Sequence, residues 1–476
     1  MAKSALLFAL FAAGSLLAQK NDSETPQRLV LLDVVATDAH SDAVTNLTAD
    51  DIRVREDGKL RPVVFFRYEG ARHGNPPPGE TVNRPPVPPT LILFDRWNEQ
   101  MMTAATAWGD VGTALQRLES VESLYIYFLT NQGNLYMVHP LPATDADLRA
   151  MTQPTPAQLR GELDDAVRKL SGFRNMDAYD PVIRANTTLK ALAVLGTQMA
   201  SIPGRKNLIW VTHGFPLTVR LPGNQWLDFT QQIHRIGWAT TTSQIAIYTV
   251  DESQQGAGAD IAGLGRETLQ MFASVTGGRW YPSGNADQAI SGAMTDSRGA
   301  YRLAYFSPFR EKDKKEHKIH LDSPEKGVRL VTREGYFGDE PDPDPNVVEA
   351  AAFSNERRSP FDGSEIGLRV EMAREGKNAR FVIHVNAADL LLLKRDAKYE
   401  ATVGVMLAVY QNGFLKGATP LKNLDLTLTP EQYQQALKEG VMFNEVAPLD
   451  EQSEKVRVMV YDPALQALGS VTMAAK

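Results

Sequence analysis

Residues Asn75 to Pro89 (NPPPGETVNRPPVPP) hold seven prolines in fifteen positions, so neither a helix nor a central strand can run through them. The segment is expected to be an extended linker that divides the chain. A second break, Asp339 to Asn346 (DEPDPDPN), alternates carboxylates with proline and predicts a solvated linker over residues 339–360. Its prolines hold the acidic side chains apart, which argues against a calcium loop. At 476 residues the chain is too long for one core, and two to four domains follow from length alone.

Between and around the breaks the patterning changes. In residues 26–70, the apolar run Arg28 to Thr37 precedes Leu47 to Asp57 and Leu60 to Phe66, joined at the turn pair Asp57-Gly58. This piece has too little core to stand alone. It is expected to pair with residues 300–338, where Tyr301 to Phe306, His317 to Leu321 and Val328 to Thr332 read as strands, and so to complete one β-sandwich. In residues 90–298, short apolar strands (Thr90 to Phe94, Asn207 to Thr212, Gln244 to Val250) alternate with helical stretches, among them Pro156 to Leu170, Thr187 to Ile202 and Gln225 to Thr241. Ser123 to Thr130 and Asn134 to His139 read as a hairpin supplying an antiparallel edge. The fold-class expectation is therefore a multi-domain α/β plus β chain: a central doubly wound, mostly parallel, Rossmann-like sheet flanked by β-sandwich domains. Residues 361–476, with five strand-like runs and one helix at Pro430 to Lys438, predict a second, immunoglobulin-like sandwich.

The N-terminus reads as a signal peptide over residues 1–18: Lys3, then a largely apolar run from Ala5 to Leu17, then small residues before Gln19. That run is shorter than the ~20 residues a membrane-spanning helix needs, and no later stretch approaches a span. There is no cysteine, which excludes disulfides and thiolate metal sites. A net charge of −7 argues against nucleic-acid partners. An exported, periplasmic or secreted protein is expected.

In an open parallel sheet, ligands collect beyond the carboxyl ends of the strands. Here that edge would carry Asp95-Arg96-Trp97-Asn98-Glu99, Asn186-Thr187-Thr188 and Thr212-His213-Gly214. With Gly204 to Trp210 (GRKNLIW), Ile247 to Asp251 (IYTVD), Thr276 to Arg279 (TGGR) and Arg333 to Phe337 (REGYF), the order of motifs resembles a von Willebrand factor type A domain, in particular the acidobacterial branch of that family. The resemblance implies adhesion, scaffolding or envelope assembly. It also implies an Asp-x-Ser-x-Ser cation site with a later threonine and aspartate. Carried over, the first aspartate is Asp95, and the serine positions fall on Trp97 and Glu99. The threonine position falls on Asn186, or on Thr187 with a one-residue shift, and the last aspartate on His213.

Two hydroxyls and a carboxylate have gone, and three readings stay open: a degenerate site without metal; an oxygen site rebuilt from Asp95, Glu99 or Asn98, and Thr187; or a site recruiting His213 with Asp95 and Glu99. The cofactor expectation is accordingly none, or one divalent cation: Mg²⁺ on oxygens, Zn²⁺ or Mn²⁺ with imidazole. Without a metal, Asp95 reads as the N-cap of the following turn. Asp95, Trp97, Asn98, Asn186 and His213 are the candidate partner contacts, Trp97 being either an exposed anchor or a cover for the sheet end. Nucleophile elbows, zinc-binding histidine pairs and nucleotide-binding glycine fingerprints are missing from the sequence. The functional expectation is a non-enzymatic binding, adhesion or scaffolding protein for a protein or cell-surface ligand. The alternatives are a secreted metal-dependent hydrolase using Asp95, Glu99 and His213, and a purely structural envelope component.

Overall fold

The structure, a computed structural model, describes residues 28–70, 80–83, 87–98, 112, 115, 123–144, 147–148, 151, 154–170, 180–252, 259–282, 285–308, 315–338 and 344–475. The leader read over residues 1–18 lies outside them.

Period-two patterning sets the first strands. β1 (Arg28–Thr37) is apolar on both faces because both are covered: Val30, Leu32 and Val34 enter one core, Leu29 and Leu31 another. Asp57 and Gly58, both at positive φ, turn β2 (Arg53–Glu56) into β3 (Lys59–Arg61). β4 (Val63–Tyr68) follows, then the two-residue β5 (Thr81–Val82). The chain continues through β6 (Thr90–Asp95), β7 (Leu124–Leu129), β8 (Leu135–His139), α1 (Pro156–Leu170), α2 (Pro181–Ala200) and β9 (Lys206–Thr212). Next come β10 (Thr218–Leu221), β11 (Gln225–Asp228), α3 (Thr230–Thr242), β12 (Ile245–Asp251), α4 (Ala259–Thr276), β13 (Trp280–Tyr281) and α5 (Ala286–Arg298). Strands return as β14 (Ala300–Ser307), β15 (Glu316–Asp322), β16 (Arg329–Val331) and β17 (Gly335–Phe337), followed by α6 (Pro345–Glu356). The remainder holds β18 (Leu368–Glu375), β19 (Asn378–Val385), β20 (Leu393–Arg395), β21 (Lys398–Gln411), β22 (Phe414–Ala418) and β23 (Lys422–Leu428). It closes with α7 (Pro430–Glu439), β24 (Val441–Pro448), β25 (Lys455–Asp462) and β26 (Ala467–Ala474).

This architecture overturns the expected fold class. The structure is mostly β, with 42% strand and 28% helix, and a central doubly wound parallel sheet does not organise it. Among the described residues a single sheet contains parallel pairs, and that sheet is mixed, in the order β13-β12-β9-β6-β7-β8 with β8 antiparallel. The other sheets are antiparallel throughout. Connection length is part of the physical reason: tight turns such as Asp57-Gly58 and Asn412-Gly413 can only return the chain antiparallel, and distant strands such as β1 and β14 or β21 and β25 also pair antiparallel.

β14 lies between β1 and β4, with Arg28 opposite Ser307 and Val35 opposite Ala300. The sheet β16-β1-β14-β4 and the sheet β17-β15-β2-β3 share a core of Val30, Leu32, Val54, Leu303 and Leu321. Inside it, buried Glu56 accepts hydrogen bonds from Tyr336 Oη at 2.6 Å, Ser307 Oγ at 3.0 Å and Tyr305 Oη at 3.2 Å, and pairs with Arg61 at 2.9 Å. That network ties four strands together. In the mixed sheet, Leu91 and Leu93 pack with Leu192, Ile233 and Phe272 of α2, α3 and α4, while Ile92 and Phe94 pack with Leu163 and Ile290 of α1 and α5. In the C-terminal region, β24-β19-β18-β5 and the sheet built on β21 and β25 enclose Val370, Phe381, Ile383, Val405 and Val458; Phe65 and Ala304 join this core from outside.

Three segments depart from the sequence reading. Gln225–Asp228 is strand β11 and not the start of a helix. Residues 345–356, read as linker, form α6, because Pro345 sits at its first turn and the Asp344 carboxylate accepts from Asn346 N at 2.9 Å. Within the proline-rich segment, Thr81–Val82 adds an edge strand to β18, and the Asn83 amide clamps it by donating to Gly363 O and Ile366 O. Removing one donor from Glu56 should cost about 1.5–3 kcal/mol, since the acceptor is charged and buried. Tyr336→Phe is therefore expected to lower the urea-unfolding free energy by that amount; an unchanged midpoint would contradict the role given to Glu56.

Candidate functional site

The site grows from the carboxyl ends of β6 and β9. Residues 93 and 210 are opposed in parallel register, so Asp95, Trp210 and Thr212 turn to the same face. Asp95 is 4% exposed, and its carboxylate is filled by the protein. Oδ2 accepts from Asn98 Nδ2 at 2.7 Å, Thr212 Oγ1 at 2.8 Å and Trp210 Nε1 at 3.1 Å; Oδ1 accepts from Asn98 N at 3.1 Å. The last of these bonds closes the turn that follows the strand, the capping role open to an aspartate there. Burial pushes the Asp95 pKa up, and the donors from Asn98, Thr212 and Trp210 oppose that shift. Asn98 Nδ2 also donates to Thr188 Oγ1 at 2.7 Å, and Thr188 in turn donates to Arg184 O at 3.0 Å. The hub thus joins β6, β9 and α2.

The proposed site residues separate under this geometry. Asp95 and Asn98 are together but buried, Asn98 completely. Trp97 is 3% exposed, and its Nε1 donates to Arg184 O at 3.1 Å. It covers the sheet end and is not an exposed anchor, so Asp95, Trp97 and Asn98 are corrected as partner contacts: packing leaves them no free surface. Asn186 is exposed on α2, and His213 is half-buried after β9. Thr187 turns its methyl toward the Gly133 turn, and its neighbour Thr188 is the threonine that reaches the hub. Glu99 lies outside the described residues.

The loop after β9 is held firmly. Gly214 takes φ +69°, and a methyl on Gly265 would lie 2.2 Å from the His213 carbonyl, so the loop and α4 meet backbone to backbone. Thr268 Oγ1 fixes Phe215 O at 2.6 Å. Burial lowers the His213 pKa to about 4; the charge of Asp251 opposes this and that of Arg184 adds to it. Asp251 ends β12, is 2% exposed, and lies 3.9 Å from Arg266 Nε.

The donor set does not fit a hard divalent cation. Trp210 Nε1 and Asn98 N present hydrogens to Asp95, and neither has a lone pair to offer a metal. Elsewhere among the described residues, Glu80, Glu371 and His384 bring ligand atoms within 4.8 Å of one another, but Arg369 already pairs with Glu80 at 3.1 Å. Lys206 is buried with its pKa lowered to about 8 by desolvation, and its ammonium caps Ile202 O and Gly204 O.

Sequence reasoning missed the most exposed aromatic on this side of the domain. Between Gly214 and α3 the chain makes the β10–β11 hairpin, anchored by the inward pair Val219–Leu227. The alternating pair Arg220–Trp226 therefore faces out, and Trp226 is 64% exposed. Pro222-Gly223-Asn224, with Gly223 and Asn224 at positive φ, is the turn signal that marks the hairpin.

No family model and no curated protein matches the chain. Two of the solved structures it is similar to are weak neighbours. A mutant of the PilB minor pilin from Streptococcus sanguinis is 11% identical at TM-score 0.28, over 47% of this chain and 62% of the pilin. The β-glucosidase 3B from Thermotoga neapolitana, in complex with glycerol, is 11% identical at TM-score 0.16, over 84% of this chain and 52% of the enzyme. The chain thus spans less than two thirds of either, and at these scores neither likeness carries an argument.

The lowered His213 pKa fixes a sign. A histidine kept neutral in the fold contributes stability that is present above 6.5 and lost as pH falls toward about 4. Unfolding free energy should therefore fall across that window, and His213→Gln should flatten the slope; an identical slope in the variant would contradict the buried setting of His213.

Proposed function

We propose that this chain is an exported, non-enzymatic binding protein of the adhesion or scaffolding kind. Its contact surface is the β10–β11 hairpin together with Asn186 and His213. The observation that carries the reading is Trp226: a large aromatic, 64% exposed, on a hairpin whose other face is anchored in the core. Aromatic residues held rigidly at a surface are the type that dominates binding energy at interfaces. The inner face of the hairpin, Val219 and Leu227, packs into the core that also holds Trp97 and Phe215. The leading apolar segment at Ala5 to Leu17 supports export, to the periplasm or beyond. Among the described residues no helix is long and apolar enough to cross a membrane. The partner is a protein or a cell-surface ligand.

Photo-crosslinking amino acids placed at Trp226, at Asn186 and at the remote, 78% exposed Phe414 of the full chain test this in cells. Discrete adducts are expected at positions 226 and 186, with the adduct at 186 lost when Trp226→Ala is added. Adducts equally strong at position 414, or none at the hairpin, would contradict the reading.

A further inference from the structure

Alternation along β24 (VMFNEVAP) gives the strand two unlike faces. Phe443 and Ala447 turn inward to the C-terminal core, while Met442, Asn444, Val446 and Pro448 turn outward and are exposed, Met442 by 57% and Val446 by 53%. On one side β24 pairs with β19 without a bulge, from Val441 opposite Val385 to Pro448 opposite Asn378. On the other side it ends its sheet.

Proline decides which backbone groups face that edge. In an antiparallel pair, opposed residues alternate between exchanging two hydrogen bonds and exchanging none. Pro448 has no N–H and cannot sit in a bonded pair, whereas the next residue, Leu449, donates its N–H to Lys377 O at 2.9 Å. The odd-numbered residues therefore bond β19, and Met442, Asn444 and Val446 aim N–H and C=O away from it. Among the described residues nothing bonds those groups.

Sheet edges are ordinarily protected by a lysine, a bulge or extreme shortness. β24 has eight residues and no outward charge, and its one charged side chain, Glu445, turns inward and is paired with Lys422. The outward sequence is also self-complementary. Set antiparallel to a second copy about Asn444, Met442 lies opposite Val446, Val446 opposite Met442, and Asn444 opposite itself on the two-fold axis. These are the residues whose N–H and C=O point outward, so one register satisfies both the side chains and the backbone. Moving the axis to Val446 would set Pro448 against Asn444 and lose a donor. Moving it to Met442 would set Asn444 against Gly440, beyond the end of the strand.

We propose that β24 pairs with β24 of a second copy of this chain, joining two C-terminal sandwiches edge to edge in a two-fold dimer. Strand addition of this kind draws its affinity from main-chain hydrogen bonds and its register from alternate side chains. One strand pair makes a small interface, below about 1,200 Å², so the dimer forms and dissociates with concentration. It does not involve Trp226 and is independent of the hairpin surface.

Sedimentation equilibrium of the full chain over a range of concentrations, with thiol cross-linking alongside, tests the proposal. A monomer–dimer equilibrium is expected. Asn444→Pro, which removes an outward N–H, and Val446→Lys, which places a charge on the edge, should each raise its dissociation constant tenfold or more; Trp226→Ala should leave it unchanged. Val446 is exposed, so its lysine variant keeps the test readable should the proline disturb the strand. The chain has no cysteine, and Asn444→Cys therefore supplies a single thiol per copy. Bonded antiparallel residues lie about 5.5 Å apart at Cα, within the ~4.4–6.8 Å that a disulfide spans. Mild oxidation should convert Asn444→Cys to a covalent dimer, and the equally accessible control Phe414→Cys should lag well behind. A chain monomeric at every concentration would overturn the proposal and leave the edge to a strand from a different protein. A dimer unmoved by both edge variants, or cross-linking at 414 as fast as at 444, would overturn it too.

Discussion

One buried carboxylate organises the end of the mixed sheet. Asp95 takes four protein donors, from the turn after its own strand and from the adjacent β9, and through Asn98 it reaches the first half of α2. An unpaired carboxylate in such a place would be costly; distributed among neutral donors it becomes a rigid joint. The loop carrying His213 and Gly214 and the hairpin beyond it then stand on fixed ground. Glu56 does comparable work in the first sandwich, where Tyr336, Ser307 and Tyr305 converge on it. The mixed sheet and the first sandwich are thus each braced by a buried acid satisfied by side chains from distant parts of the chain.

The modules lean on one another through shared strands and cores. β1 offers alternate residues to two different cores, and Thr81–Val82 crosses to the edge of a sheet whose partner strand lies nearly 300 residues further on. A chain without cysteine gains its stiffness from such long-range pairing. The mixed sheet sits between the two halves of the first sandwich in sequence.

Local pattern was legible in the sequence; tertiary direction was not. The apolar runs Thr90 to Phe94 and Asn207 to Thr212 read as buried strands from their unbroken apolar character, and every residue of β6 and β9 is buried. The alternation of such strands with helices suggested a parallel sheet as the frame, whereas most of the observed strand pairs are antiparallel, many of them between strands far apart in sequence. Asp95 stood out at its strand end, and its capping role was open from the start. Trp97 was undecidable, since its burial depends on a carbonyl of Arg184 supplied from 87 residues away. Thr187 and Thr188 differ by one helical step of about 100°, and only packing decides which of them faces Asn98. Trp226 was missed because the helical reading of α3 began at Gln225 and so took in the strand β11 that follows the proline-glycine turn.

The most direct test of this account is a thermal shift of the full chain with Mg²⁺, Mn²⁺, Ca²⁺ and Zn²⁺ after chelator treatment, with Asp95→Ala alongside. If Asp95 is a hydrogen-bond hub, none of the ions moves the wild-type midpoint through it, and the variant melts several degrees lower with or without metal. A rise with one ion that vanishes in Asp95→Ala would show a metal ligand in place of the hub, and would contradict the account.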